Sequence, residues 1–282
     1  MKFGVNTFLW SAAFGPEQFD LLPVIREQGF DGVEIPLIHL AGFPAAAIRR
    51  ELERNDLACT VCSVLPRNLS LVSEDPDVRR LTRSHLSDCF KVCADLGSAY
   101  IAGPLYAPVG YLPGRRRTPD EWNWALEAYQ EVAPLLSSYR IHLCLEPLNR
   151  FETYFLNTTA DAVRLCAEIG HPQIGILWDT FHANIEEKSL PDALRSCGKY
   201  LKHVHTSEND RGTPGTGHID WRGVVSVLRE LRYDGWLTIE SFGFALGELS
   251  AAASIWRDLA GSPGEICCEG VKFLKAALSE AN

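Results

Sequence analysis

A chain of 282 residues, 46% hydrophobic and 22% charged, has the material for a sizeable core. Its net charge of −9 excludes a general polyanion binder, because counterion release from nucleic acid needs a basic face. Nine cysteines, an odd number, leave at least one thiol unpaired within the chain.

The opening MKFGVNTFLW lacks the pattern of a signal peptide, and no apolar run reaches membrane-spanning length. The expected setting is a reducing cytoplasm with no membrane partner, where cysteines serve as small core residues. Cys59 and Cys62 have CxxC spacing but lie inside the apolar run ACTVCSVL, with no second CxxC to complete a zinc site. Cys89 and Cys93 are four apart on a predicted helix. Core packing is the expected role of all nine.

Short apolar runs alternate with amphipathic segments along the whole chain. Residues 2–10 predict strand one, and 17–28 its helix, with Pro16 near the start. Strand two is FDGVEIP (30–36), followed by a helix over 44–55. Strand three is ACTVCSVL (58–65), with a long helix over 76–96. AYIAGPL (99–105) is strand four, and its helix spans 118–136 with Thr118 as N-cap and Glu121 reaching back. Strand five is IHLCLEP (141–147), and its helix over 159–170 is closed by Gly170. Strand six runs through IGILWDTFH, with a helix over 190–197. YLKHVHTSEN (200–209) predicts strand seven, with a helix over 221–231. GWLTIESF (235–242) is strand eight, and further helices fill the remainder.

Such alternation demands parallel strands joined by right-handed crossovers. Eight units predict a closed (β/α)8 TIM barrel, one domain over residues 1–282. The rival, an open doubly wound sheet, usually carries a Gly-rich dinucleotide turn after strand one. Here SAAFGPEQ follows, with no GxGxxG.

Catalytic residues of a barrel collect where the C-terminal strand ends converge. The last polar residues of four consecutive strands are Glu146 (CLEP), Asp179 (LWDT), His205 (KHVHT) and Glu240 (TIES). Three acids brought together would raise one another's pKa and strain the fold, and a divalent cation removes that conflict. The mostly oxygen donor set suits Mn²⁺, Mg²⁺ or Co²⁺ better than a structural Zn²⁺. His182, three residues beyond Asp179, is within reach of the same pocket. His203, two before His205, is expected on the opposite side of the barrel wall in a structural role. GRRRT (114–118), after strand four, is the one basic cluster. Barrels usually hold phosphate near strands seven and eight, and SFGFALGE there has no Lys or Arg, so a solvated or subunit-contact loop is expected.

Together LEPLNRFE (145–152), WDTFHANIEE (178–187), HVHTSENDRGTPGTGHIDW (203–221) and IESF (239–242) resemble the ketose 3-epimerases of the xylose-isomerase-like TIM-barrel superfamily. The resemblance spans the chain in rhythm and length, and these four motifs are its specific part. It implies metal ligands at Glu146, Asp179, His205 and Glu240, with Mn²⁺ the expected cation. It implies substrate contacts at Glu152, His182 and Arg211, and a homodimer or homotetramer. Read from the residues alone, Glu152 could instead pair with Arg150, and Arg211 could be a surface residue of a Gly/Pro-rich loop. Phe14, Tyr106 and Phe242 are candidates for the apolar end of the sugar pocket.

The implied chemistry is epimerisation of a free ketose at C3 through a cis-enediolate. Two bases are needed on opposite faces of C3, and Glu146 and Glu240 are the natural pair. Related barrels isomerise aldoses or hydroxypyruvate, or dehydrate inosose, with similar sites. An endonuclease IV type of barrel would need histidines at earlier strand ends, where LW, IP, SVLP and GPLY stand instead. A non-enzymatic sugar-binding protein would have no need of two glutamates flanking one carbon.

Overall fold

The structure, a computed structural model, describes residues 1–242 and 253–280. Eight parallel strands pair in chain order: β1 (Lys2–Asn6), β2 (Gly32–Pro36), β3 (Ala58–Cys62), β4 (Tyr100–Gly103), β5 (His142–Leu145), β6 (Ile174–Asp179), β7 (Leu201–His205) and β8 (Trp236–Ile239). Strand β8 returns to β1 in parallel register and closes the (β/α)8 barrel. Among the described residues the α-helices are α1 (Leu21–Glu27), α2 (Ala45–Arg54), α3 (Pro76–Leu96), α4 (Pro119–Tyr139), α5 (Thr159–Ile169), α6 (Thr180–Glu186), α7 (Leu190–Cys197), α8 (Trp221–Glu230) and α9 (Pro263–Glu280). None is long and apolar enough to cross a membrane. The tract SFGFALGE lies outside the described residues from 243 onward.

The predicted helices over 76–96 and 190–197 match α3 and α7, and Gly170 caps α5 in a left-handed conformation, φ 70°. The strands end earlier than their apolar runs predict. Predicted strand one stops at Asn6, whose side chain accepts the Phe8 N–H at 2.9 Å and starts a 3₁₀ turn over Thr7–Leu9. Predicted strand seven stops at His205. Helix α6 was not anticipated; it starts because Asp179 accepts the Phe181 N–H at 2.8 Å as its N-cap.

Alternation along each strand sorts the side chains into two environments. Val5, Val33, Val61, Ile101, Leu143, Ile176, Val204 and Leu237 join the large core between barrel and helices. The opposite parity points inward. It gives a small apolar plug of Ala102, Cys144 and Leu177, and beside it the buried polar residues Asn6, Glu34, Thr60, His203 and His205. His203 therefore does not face away from His205. Residues two apart on a strand share a face, and the two rings lie 5.3 Å apart inside the barrel.

All nine cysteines are free thiols, eight of them buried and Cys268 half-buried. Burial pushes the Cys59 thiol up to about 12, so it stays neutral in its core position. Cys62 differs in lining the cavity described below.

The GRRRT loop is less solvated than its composition suggests. Arg117 makes a two-pronged contact with Asp161 (2.9 and 2.8 Å), and Arg115 makes one with Glu121 (3.0 and 2.8 Å). Glu121 also completes the predicted capping box, accepting the Thr118 N–H at 2.6 Å, and accepts the Tyr154 O–H at 2.7 Å. Burial alone would raise the Glu121 carboxyl, but Arg115 and Tyr154 outweigh it and hold it below its ordinary range. Glu121→Ala should therefore cost about 2 kcal/mol in urea unfolding, against about 1 kcal/mol for Thr118→Ala. A carboxylate lowered in the folded state stabilises above its unfolded pKa and loses that contribution as pH falls through the folded one. The gap between wild type and Glu121→Ala should accordingly narrow in acid.

Candidate active site

Each predicted ligand stands at, or one residue past, the C-terminal end of its strand. Asp179 and His205 are paired across β6 and β7, and Glu146 and Glu240 directly follow β5 and β8. Glu146 N–H donates to the Gly103 carbonyl at 3.2 Å. Gly103 (φ 133°) can stand there only without a side chain, since a Cβ would overlap the Ser63 carbonyl. The structure brings one donor atom from each of Glu146, Asp179, His205 and Glu240 within 4.8 Å of one another, and all four residues are buried.

Asp179 divides its two oxygens between two tasks. Oδ1 caps α6, while Oδ2 receives the Arg211 guanidinium at 2.6 Å. The same Arg211 nitrogen donates to Glu240 Oε2 at 2.7 Å, and the guanidinium lies between the rings of Phe181 (4.1 Å) and Phe242 (5.2 Å). Arg211 is thus a buried residue of the site, not a surface arginine.

His182, carried by the first turn of α6, is buried with Nε2 3.7 Å from Glu146 Oε1 and 3.8 Å from Asp179 Oδ2. Its Nδ1 accepts the Asn149 backbone N–H at 3.1 Å. Burial, with the nearby Arg211 charge, pushes this imidazole well below its ordinary pKa, so it is neutral. Glu152 does not pair with Arg150, which binds Glu186 through two contacts of 3.0 Å. Instead it accepts from Asn149 Nδ2 at 2.8 Å and lines the cavity.

The cavity, about 810 Å³, suits a small ligand. Glu146, Glu152, His182, His205, Arg211 and Glu240 line one side of it, and residues following β1 to β4 line the other. Of the three candidates for its apolar part, only Phe242 lines it, against Phe8 at 5.4 Å. Tyr106 is fully buried, with its O–H donating to the Glu146 carbonyl at 2.9 Å, and Phe14 packs on Phe19.

Two residues escaped the sequence reading. Glu34, fully buried at the centre of β2, sits beneath the cluster and accepts from Asn6 Nδ2 at 3.0 Å and Thr60 Oγ1 at 2.8 Å. Glu208, also fully buried, accepts the backbone N–H groups of Asn209 (3.2 Å), Gly215 (2.7 Å) and Ile219 (3.0 Å) and the Trp221 indole (2.9 Å). It ties together the loop that presents Arg211. A charged residue inside an otherwise apolar strand was the available signal for Glu34.

The donor set fits a divalent cation. His205 Nδ1 is buried with no hydrogen-bond partner and looks onto Glu240 Oε2 at 3.3 Å and Glu146 Oε1 at 3.9 Å. Burial, then the Glu240 charge, raises Glu146 well above the usual carboxylate range. Burial would raise Glu240 too, but His205 and Arg211 outweigh it and hold it ionised. Burial and the Glu240 charge thus oppose ionisation of Glu146, while His205 and Arg211 favour it at Glu240.

The family profile described as "Xylose isomerase-like TIM barrel" matches residues 22–275. The chain is 37% identical over 276 residues to the probable ketose 3-epimerase of Synechocystis sp., covering 98% of this chain and 96% of that one. It is 30% identical to the D-psicose 3-epimerase of Ruminiclostridium cellulolyticum, covering 94% and 92%. Among solved structures, L-ribulose 3-epimerase superposes with a TM-score of 0.93 at 29% identity, covering 99% of this chain and 95% of that one. The chain belongs to the xylose isomerase-like TIM-barrel family, in the group that holds the ketose 3-epimerases.

Proposed function

We propose that this isomerase epimerises free ketoses at C3 through a cis-enediolate, with a divalent cation as cofactor. The observation that carries the reading is the convergence of three buried carboxylates and the unpartnered His205 Nδ1 within 4.8 Å. The names of the relatives supply the substrate class. Glu146, Asp179, His205 and Glu240 would hold the cation, for which Mn²⁺ is the first choice and Mg²⁺ or Co²⁺ the others. When bound, it supplies Lewis acidity toward the ketose carbonyl side of the substrate.

The chain's own residues do the remainder. Glu240, as the base, takes the C3 proton and leaves the enediolate. Glu146, as the acid, returns a proton to the opposite face of C3, and the reverse reaction exchanges the two roles. No proton is gained or lost overall. Arg211, His182 and Glu152 bind the sugar oxygens: a fixed cation, a neutral imidazole and a half-buried acid together offer donors and an acceptor. The same reading expects a cytoplasmic homodimer or homotetramer whose partner is a small molecule, with neither nucleic acid nor membrane.

The test is a proton NMR time course in D₂O with Mn²⁺ and fructose, allulose, tagatose or ribulose. Deuterium should enter C3 in step with the epimer. Exchange at C1 with aldose formation would replace the proposal with an aldose–ketose isomerase.

A further inference from the structure

Glu34 is not one of the four predicted ligands, yet it touches one of them directly and reaches a second through Asn6. Its Oε1 lies 2.7 Å from His205 Nε2. That oxygen also accepts from Asn6 Nδ2 at 3.0 Å and its partner oxygen from Thr60 Oγ1 at 2.8 Å, so the carboxylate is the acceptor of this network and the imidazole donates to it through Nε2. That bond fixes the ring so that Nδ1 faces Glu146 and Glu240. The Asn6 amide also reaches Glu240 Oε1 at 3.3 Å. One buried carboxylate thus sets the orientation of one predicted ligand directly and of a second through Asn6.

We infer that Glu34 is a positioning residue that sets divalent-cation affinity from beneath the site without coordinating the ion. The inference rests on the metal-dependent reading above. Its logic is general: an imidazole ligand anchored through its other nitrogen needs no reorientation on binding, and loss of such an anchor typically weakens metal binding by about 10- to 100-fold. The second oxygen serves a different purpose. Oε2 accepts from Thr60 Oγ1 at 2.8 Å and faces His203 Nε2 at 2.8 Å, on the side away from the cluster.

The experiment is Mn²⁺ titration of chelator-treated, full-length protein by electron paramagnetic resonance, with circular dichroism and melting in EDTA as fold controls. Glu34→Gln should bind Mn²⁺ about 10- to 100-fold more weakly than wild type. His203→Gln, which leaves the Glu34–His205 contact in place, should stay within about threefold by the same logic. Nitrogen NMR of the His205 ring reads the mechanism itself: wild type should carry its proton on Nε2, and Glu34→Gln should redistribute it. Should Glu34→Gln fail to fold, Glu34→Asp, whose shorter side chain retracts from His205, must show the same weakening. Unchanged Mn²⁺ affinity in a folded Glu34 variant, or equal weakening in His203→Gln, overturns the positioning role. A wild type that binds no Mn²⁺ overturns the metal-dependent reading itself.

Discussion

Glu240→Gln is expected to lower kcat for C3 epimerisation by about a thousandfold or more, within the range that general acid–base groups supply. Glutamine keeps the shape of the side chain and its contact with Asn6 Nδ2, now 3.3 Å from Oε1. It removes the charge that accepts a proton. The same replacement at Glu146 should have an effect of similar size on the opposite proton transfer. The two variants should differ in which epimer still exchanges its C3 proton with solvent, since each retains the base for one face. Both residues are also proposed ligands, so the rates must be compared at saturating Mn²⁺, with occupancy measured. A kcat within tenfold of wild type in either variant, at full occupancy, would remove that residue from proton transfer.

Chelation is the second large effect. Dialysis against EDTA should abolish turnover, and added Mn²⁺ should restore it. An ion that binds only the folded chain at a hundred times its Kd stabilises it by about 2.7 kcal/mol. For a chain of this size that corresponds to a rise in Tm of roughly 5–10 °C. The loss of activity should therefore travel with a moderate loss of thermal stability, not with unfolding. Full turnover in protein shown by elemental analysis to lack divalent metal would end the metal-dependent reading.

Much of this was legible in the sequence because a barrel encodes its site periodically. Each strand hands its last polar residue to one rim, so reading CLEP, LWDT, KHVHT and TIES in turn collected the residues that the structure brings within 4.8 Å. The alternation of apolar runs with amphipathic helices likewise announced the eight units. What escaped was the interior below the rim. Glu34 is mid-strand in GVEIP, where the surrounding apolar residues read as a core strand, and only its partners from β1, β3 and β7 explain its charge. The expected opposite face for His203 fails on the strand's own periodicity, which puts residues two apart side by side and His203 beside His205. Helix α6 was hidden because seven residues are too few for a periodic signature, and its start depends on an aspartate that also faces the pocket. Glu208 looked like one more loop acid until the backbone amides that it collects were seen together.

Arg211 has a consequence for how the protein is made. Its guanidinium bridges Asp179 and Glu240, so the acids of the rim have a counter-ion encoded in the chain. Small zinc modules, by contrast, are unfolded until their ion arrives. With an internal cation at the mouth, the rim acids have a counter-charge before any ion arrives, so on the metal-dependent reading the barrel would fold first and the ion would enter afterwards. The ion it receives would then depend on the pool that meets the finished molecule, and the host cell's metal economy, as much as the donor set, would decide the composition of the working enzyme.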